Sequence, residues 1–319
     1  MVCHRDQFWA LCYFLLYVND IVNVSRVLLL LLYADDTNTF LSGKNLDQMI
    51  ETMNEELAKL VVWLNVNKLK LNVKKTHFMI FSSGRKEISY SNKLFICNDE
   101  IKAVKHTKFL GAIIDQRLSW ENHITHIKKK VARGLAIISK AKKFLNSTAL
   151  KTLYYSFIYP YFDYCIEVWG SACKTRIDTL FRMQKKAIRI ITMSHYRDDT
   201  IPLFDKCKIL TLQEIHVYKA AIFMFKVYHK MAPMVFQEYF LRNHEIHDYS
   251  TRIQSKLRVP HYKLEIMKFS IRVKGVYIWN FVCDHISPDC SLNSIKISLR
   301  KLISGNKQIE SIIPKKSRV

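Results

Sequence analysis

The pattern of apolar and polar residues in the first part of the chain predicts short elements separated by turns. An apolar run at residues 8–18 leads to the prediction of a buried helix over residues 8–21. The apolar run at 27–33 is too short for a helix and leads to the prediction of a buried strand over residues 26–33. Turn-forming residues follow at 35–38, and an apolar return begins at 39–41. The pattern therefore predicts a hairpin with two carboxylates at its tip.

An amphipathic helix is predicted next, because apolar residues recur at helical spacing over residues 46–64. Asn45 and Gln48 are placed as a capping pair at its start. Residues 68–81 then alternate or run apolar as in a strand, and residues 93–104 predict a second hairpin that turns at 98–99. Up to about residue 115 the chain is predicted to be α+β, with short strands and a helix covering one face.

From Trp120 onwards the apolar period becomes helical. With only 7 glycines and 6 prolines in 319 residues, long helices and few tight turns are expected. Helices are predicted at residues 121–144, 147–161, 173–193 and 211–231, the last of them ending near Pro233. After residue 245 basic residues are interleaved with aromatic ones, for most of which core packing is favoured over base stacking.

The charge of the chain favours a polyanionic partner. Lys and Arg number 50 against 27 Asp and Glu, which gives a net charge of +23 and a pI of about 9.6. The segment 128–143 carries seven positive charges and no negative one. Such a run is either a solvated helix face or a face that follows nucleic-acid phosphates, and the sequence leaves both interpretations open.

The scattered cysteines and the short N-terminal apolar runs favour an intracellular protein, cytoplasmic or nuclear and not secreted. The eight cysteines are scattered without a C-x-x-C pair, so reduced thiols are expected. His123 with His126, and His244 with His247, have H-x-x-H spacing without a nearby Cys pair, which favours solvated helix histidines over zinc ligands. The N-terminal apolar runs are shorter than the roughly 20 residues that a bilayer requires, so no membrane partner is expected.

Asp35 and Asp36 are the strongest candidates for chemistry. Adjacent like charges next to apolar residues are costly unless a cation or solvent receives them. A hairpin tip with two carboxylates suits a hard divalent cation such as Mg²⁺, which keeps positions open for phosphate oxygens. The alternative is a surface turn, in which an Asp-Asp pair is ordinary composition.

The stretch "LLYADDTNTFLSG" at residues 31–43 resembles the Y-x-D-D motif of reverse transcriptases, specifically those of jockey-type non-LTR retrotransposons. The resemblance continues in order along the chain. Further similar segments are "FLLYVNDI", "WLNVNKLKLNVKKTHFMIF", "HTKFLGAIIDQRLSWENHI", "YYSFIYPYFDYCIEVWGSA", "MQKKAIRIIT" and "LNSIKISLRKLI".

The resemblance implies an RNA-directed DNA polymerase fold. Residues 1–115 would be a partial polymerase palm of short antiparallel strands with covering helices. Residues 116–235 would be a helical thumb or connection, and residues 236–319 a basic C-terminal region. The implied cofactor is Mg²⁺, the implied chemistry is two-metal nucleotidyl transfer, and the implied partners are an RNA template and a DNA primer.

The resemblance also implies roles for individual residues. Asp35 and Asp36 would be catalytic metal ligands, and Tyr33 and Ala34 would support their turn. The remaining residues divide into lysines that contact phosphate or pyrophosphate (Lys74, Lys75), a hairpin that grips the primer (Phe109, Leu110, Gly111) and a nucleic-acid-binding set (Lys128, Lys129, Lys130, Arg133, Lys140, Lys142, Lys143).

Two departures from the family pattern bear on activity. The family carries another catalytic Asp further upstream of Y-x-D-D than the 34 residues that precede Asp35 here. Residues 4–14 also lack the P-Q-G-S-type turn that the family shows before the motif. A truncated C-terminal fragment that is inactive alone is therefore expected, and the alternative is a remnant that binds nucleic acid without chemistry.

Overall fold

The computed structural model describes residues 12–82, 90–245, 256–262 and 264–305. The chain forms two compact units: unit 1 is Met1–Thr107 with Asp115–Leu118, and unit 2 is Lys108–Ile114 with Ser119–Val319. Short antiparallel strand pairs and many helices make the fold α+β, as predicted. Among the residues described, none of the helices combines the length and the apolarity needed to cross a bilayer.

The predicted hairpin in unit 1 is confirmed. Strand β1 (Leu29–Tyr33) pairs antiparallel with strand β2 (Asp36–Phe40), and the last pair of the register joins Tyr33 to Asp36. Only Ala34 and Asp35 remain for the turn. A two-residue loop fixes the register of the strands, so the turn chemistry determines where the carboxylates lie.

The predicted amphipathic helix is also confirmed, as α1 (Leu46–Val66). Its start is fixed by Asn45, whose side chain accepts hydrogen bonds from the backbone N–H groups of Asp47 and Gln48. The buried face of α1 carries Ile50 and Leu60, which belong to the apolar core of unit 1. Leu30 and Leu32 of β1 pack against the same core, so α1 covers one face of the hairpin.

Two elements predicted as buried are buried only in part. The other face of β1 carries Leu29 (69% exposed), Leu31 (46%) and Tyr33 (61%), because a two-stranded hairpin has only one face covered by α1. The predicted helix at 8–21 is helical at 12–17, where Leu16 is 72% exposed, and continues as a 3-10 turn at Asn19–Asn23. Residues 8–11 lie outside the described part.

The strand predicted at 68–81 is wrong. This segment contains a 3-10 turn at Val73–Lys75 and a single bridge from Phe78 to Ala103, so it finds no strand to pair with over its length. The second predicted hairpin exists, formed by β3 (Phe95–Ile96) and β4 (Asp99–Glu100). Its turn is at Cys97 and Asn98, both with positive φ, one residue earlier than predicted.

A third hairpin, β5 (His106–Phe109) with β6 (Ala112–Asp115), precedes the helical part of unit 2. The helix predicted at 147–161 is divided near Pro160, since proline begins a helix readily but interrupts one that is under way. The helices of unit 2 are α2 (Glu121–Ala141), α3 (Ser147–Phe157), α4 (Tyr159–Asp163), α5 (Ile166–Trp169), α6 (Lys174–Ile191), α7 (Ile201–Cys207), α8 (Leu212–Tyr228), α9 (Val235–Tyr239), α10 (Glu265–Lys268), α11 (Val276–Cys283) and α12 (Leu292–Gly305).

Two apolar clusters fill unit 2. The first extends from Trp120 to Ile215 and includes the fully buried Trp169, and the second is centred on α8, α11 and α12 around the fully buried Trp279. The prediction of core packing for the aromatic residues beyond 245 is confirmed for Trp279. Long helices packed around large aromatic side chains give the basic α2 a rigid support.

Candidate functional site

Asp35 and Asp36 lie at an exposed hairpin tip. Asp35 is the second residue of the turn, and Asp36 is the first residue of β2. Both side chains are exposed, so water receives the two charges that would be costly in an apolar setting. The structure therefore leaves both carboxylates of the predicted acidic pair open to solvent.

The turn that carries the pair is conformationally demanding. Ala34 has a φ of 51°, in the left-handed region where a Cβ costs about 1 kcal/mol relative to glycine. Tyr33, the residue paired with Asp36, is 61% exposed on the open face of β1. Ala34 thus lies in the turn with its demanding backbone conformation, Tyr33 ends the strand that leads into it, and both carboxylates stay exposed.

The donor set fits a hard cation only in part. Mg²⁺ is commonly held by one or two carboxylates together with water and substrate phosphates, and Asp35 and Asp36 supply carboxylates of that type. Within the part of the chain that the structure describes, no group of three or more His, Cys, Asp or Glu side chains converges as a metal site. A bridging carboxylate for a second metal is therefore missing from the described residues.

Two other predicted contacts lie in different units. Lys74 and Lys75 are exposed in the 3-10 turn of unit 1. Phe109, Leu110 and Gly111 belong to unit 2, at the turn of the β5–β6 hairpin. The side chains of Lys74 and Lys75 are open to solvent. The β5–β6 turn lies against the helical part of unit 2, where the Tyr164 hydroxyl group donates a hydrogen bond to the Leu110 carbonyl oxygen.

The basic residues of α2 form a stripe on its solvent side. Lys129, Arg133 and Lys140 are exposed and are spaced by four and seven residues, which places them on one face of the helix. The opposite face buries Ile127 and Val131. None of the ion pairs found among the described residues involves the three stripe residues, so no described carboxylate compensates their charges.

The other residues of the predicted nucleic-acid-binding set surround this stripe. Lys128 is exposed and Lys130 is half-buried, both on α2, whereas Lys142 and Lys143 follow the end of the helix. The basic segment is thus one amphipathic helix with a charged outer face, and not a disordered tail.

The prediction that His123 is solvated is wrong. His123 is 3% exposed, its ring lies 5.8 Å from that of Trp169 in an edge contact, and its Nδ1 accepts a hydrogen bond from the backbone N–H of Ile113. Burial, and to a smaller extent the neighbouring His126, lowers the pKa of His123 to about 4. His244 and His247 were predicted to be solvated as well; their side chains lie outside the described part.

A signal for the burial of His123 exists in the sequence. His123 precedes Ile127 and Val131 by four and eight residues, so it falls on the apolar face of α2. The H-x-x-H spacing led to one prediction for both histidines, but the two differ in burial, since His126 is on the flank of the same helix and only half-buried.

The buried His123 predicts a loss of stability in mild acid. A base whose pKa is lower in the folded than in the unfolded protein binds its proton preferentially in the unfolded state. The stability that the folded protein has while His123 is neutral is therefore fully present above pH 6.5 and is lost as the pH falls towards about 4. We expect the free energy of unfolding to fall by on the order of 2–3 kcal/mol over this window.

Urea denaturation at several pH values measures this effect. His123→Gln retains an acceptor for the Ile113 N–H but does not titrate, so it should flatten the pH dependence in this window, whereas the exposed His261→Asn should leave it unchanged. Equal pH profiles for His123→Gln and the parent chain would contradict the assignment.

Three curated relatives are similar to the chain at low identity. Over 89 residues (27% of this chain) it is 34% identical to the probable RNA-directed DNA polymerase from transposon X-element of Drosophila melanogaster. Over 167 residues (50%) it is 26% identical to the RNA-directed DNA polymerase from mobile element jockey, and over 175 residues (54%) it is 25% identical to the probable RNA-directed DNA polymerase from transposon BS, both of the same organism.

The chain spans only a small part of these relatives, covering 10%, 18% and 19% of their lengths in the same order. No family model matches the chain. No solved structure matches it. The similarity to RNA-directed DNA polymerases of mobile elements, expected from the Y-x-D-D stretch, is thus confirmed over about half of the chain.

Proposed function

We propose that the chain is part of an RNA-directed DNA polymerase of a mobile element and that it binds nucleic acid. Unit 1 supplies a partial palm and unit 2 begins with the helical thumb. The observation that carries the proposal is the exposed Asp35–Asp36 pair at the tip of the β1–β2 hairpin, one face of which packs against the core that includes α1. The similarity to three named polymerases supports the same assignment.

In this function Asp35 and Asp36 would hold Mg²⁺ through carboxylate oxygens. When bound, the ion supplies charge neutralisation for the phosphate oxygens of nucleotide and primer. Lys74 and Lys75 contact phosphate from their exposed turn, and the Phe109–Gly111 turn contacts the primer. The stripe of Lys129, Arg133 and Lys140 follows the backbone of the primer–template duplex.

The chain by itself is proposed not to extend primers. Among the described residues, no third His, Cys, Asp or Glu side chain joins Asp35 and Asp36 in a metal-binding group, and a two-metal displacement needs a bridging ligand in addition. The second candidate function is therefore binding of nucleic acid without chemistry, which the uncompensated stripe on α2 favours.

The binding part of the proposal is tested by fluorescence anisotropy with a labelled RNA–DNA hybrid. Binding should weaken steeply as NaCl rises, because each phosphate contact adds about 0.9 to the slope of log K against log salt. Binding that is absent or insensitive to salt would contradict it. Mn²⁺ binding measured by electron paramagnetic resonance separates the two candidate functions. Asp35→Asn should reduce Mn²⁺ binding if the acidic pair holds metal. The variant should leave Mn²⁺ binding unchanged if the chain only binds nucleic acid.

A further inference from the structure

A groove of about 360 Å³ lies in unit 2 where the turn between β5 and β6 meets α2. Lys108 and Gly111 line it from the hairpin, and His126 lines it from α2. Pro160 and Tyr161 of α4 form part of the remaining wall. The groove is open to solvent, and its size suits a single phosphate group with its water.

The hairpin wall of the groove is fixed in place. The hydroxyl group of Tyr164 donates a hydrogen bond to the carbonyl oxygen of Leu110. Gly111 follows with a φ of 88°, and a Cβ at this position would lie 3.1 Å from the Tyr164 ring. Glycine is therefore required both by the backbone conformation and by the close approach of the ring, and the groove is formed before any ligand binds.

The electrostatics of the groove favour an anion. No acidic residue is among the described residues that line it. Burial lowers the pKa of His126, and the positive charges of Lys130, Lys108 and Lys129 lower it further. The other titratable groups at the groove are His123, itself buried and neutral at pH 7, and the hydroxyl groups of Tyr161 and Tyr164. Positive charge from two elements thus converges here without a carboxylate to balance it.

We propose that this groove binds one backbone phosphate of a nucleic acid between the Lys108 ammonium group and the His126 imidazole. The proposal rests on the nucleic-acid-binding function proposed above and adds to it a phosphate contact at Lys108 and His126, two residues that the sequence did not single out for binding, next to the predicted primer-contacting turn. Lys130 lies one turn further along α2 and continues the positive path towards Arg133, so the groove would set the position of the bound strand on the stripe.

Binding of the phosphate is coupled to a proton. In the free chain burial and the neighbouring lysines disfavour the imidazolium form of His126, and the bound phosphate offsets the charge of the lysines. The imidazole then takes up one proton from solvent and donates a charge-assisted hydrogen bond to the phosphate oxygen. The complex holds more protons than the free chain, so affinity rises as the pH falls.

Anisotropy titrations of the whole chain with a labelled RNA–DNA hybrid, at pH 7.5 and 5.5 and over a salt series, test the groove. The parent chain should bind about fivefold more tightly at pH 5.5, and His126→Asn should lose most of this gain. Lys108→Gln should weaken binding by about five- to tenfold and lower the salt slope by about 1, whereas Lys108→Arg should retain both. The exposed His261→Asn and Lys226→Gln are the matched controls.

The outcomes separate the groove from the proposed function. Salt-dependent binding in which His126→Asn keeps the full pH effect, or Lys108→Gln keeps the full salt slope, would overturn the groove alone and leave nucleic-acid binding intact. Absence of hybrid binding by the parent chain would overturn both. Lys108 is exposed and His126 is only half-buried, so these variants are expected to fold.

Discussion

Replacing Lys129, Arg133 and Lys140 together by glutamine should weaken binding of an RNA–DNA hybrid by about 100-fold near 0.1 M salt, or about 1 kcal/mol for each charge. The three side chains share the exposed face of α2 and make no ion pair with another described residue. Each released phosphate contact should also remove about 0.9 from the salt slope, so the slope should fall by about 2.7.

A triple variant elsewhere in unit 2 serves as the control for charge. Lys206, Lys226 and Lys230 are exposed and lie on or next to other helices, so their replacement by glutamine lowers the net charge equally. The control should lose less than about tenfold in affinity, since it changes only the long-range field. Equal losses in the two triple variants would show that net charge and not the α2 stripe determines binding.

The second large effect is expected in the core of unit 2. Trp169 is fully buried, its ring contacts that of His123, and its indole N–H donates a 2.7 Å hydrogen bond to the carbonyl oxygen of Tyr164. Trp169→Ala removes this packing and leaves a cavity between α2, α5 and their neighbours, so the free energy of unfolding should fall by about 3–5 kcal/mol.

Urea denaturation followed by circular dichroism measures the loss. The adjacent Val168→Ala, at a side chain that is 50% exposed, should cost less than about 0.5 kcal/mol. Trp169→Phe, which retains an aromatic ring but loses the donor, should lie between the two. A loss below about 1 kcal/mol for Trp169→Ala would mean that the cluster around this indole does not stabilise unit 2.

The parts of the fold that sequence predicts well are those with a strong local period. The helices α1 and α2 each carry an apolar stripe over 21 residues, and the hairpin at 29–40 is marked by polar turn formers between apolar runs. In these elements the side chains that define the period also form the core, so local pattern and packing agree.

The failures arise where pairing partners determine the structure. The segment 68–81 has a strand-like pattern, yet only Phe78 finds a bridging partner there, and a strand without a neighbour is not stable. The apolar run that ends at Tyr33 predicts burial, but only one face of β1 is covered. Hydrophobic content alone does not state whether a second layer is present.

Sequence likewise predicts some parts of the candidate site and misses others. Its acidic pair and its basic helix followed from residues 35–36 and 128–143, because their chemistry is local. The groove at Lys108 and His126 did not, since it depends on Tyr164 bracing a turn 54 residues earlier in the chain. A site built from several elements becomes visible only once their packing is known.

The most direct test of the account is a primer-extension reaction with the purified chain. The reaction contains an RNA template, a labelled DNA primer, deoxynucleotides and Mg²⁺. Binding of the chain to the same primer–template is measured in parallel. The account predicts that the chain shifts the primer–template in a gel and yields no extended product, because Asp35 and Asp36 supply only part of the proposed metal site. Mg²⁺-dependent extension that Asp35→Asn abolishes would contradict the proposed inactivity, and absence of both binding and extension would contradict the proposed function itself.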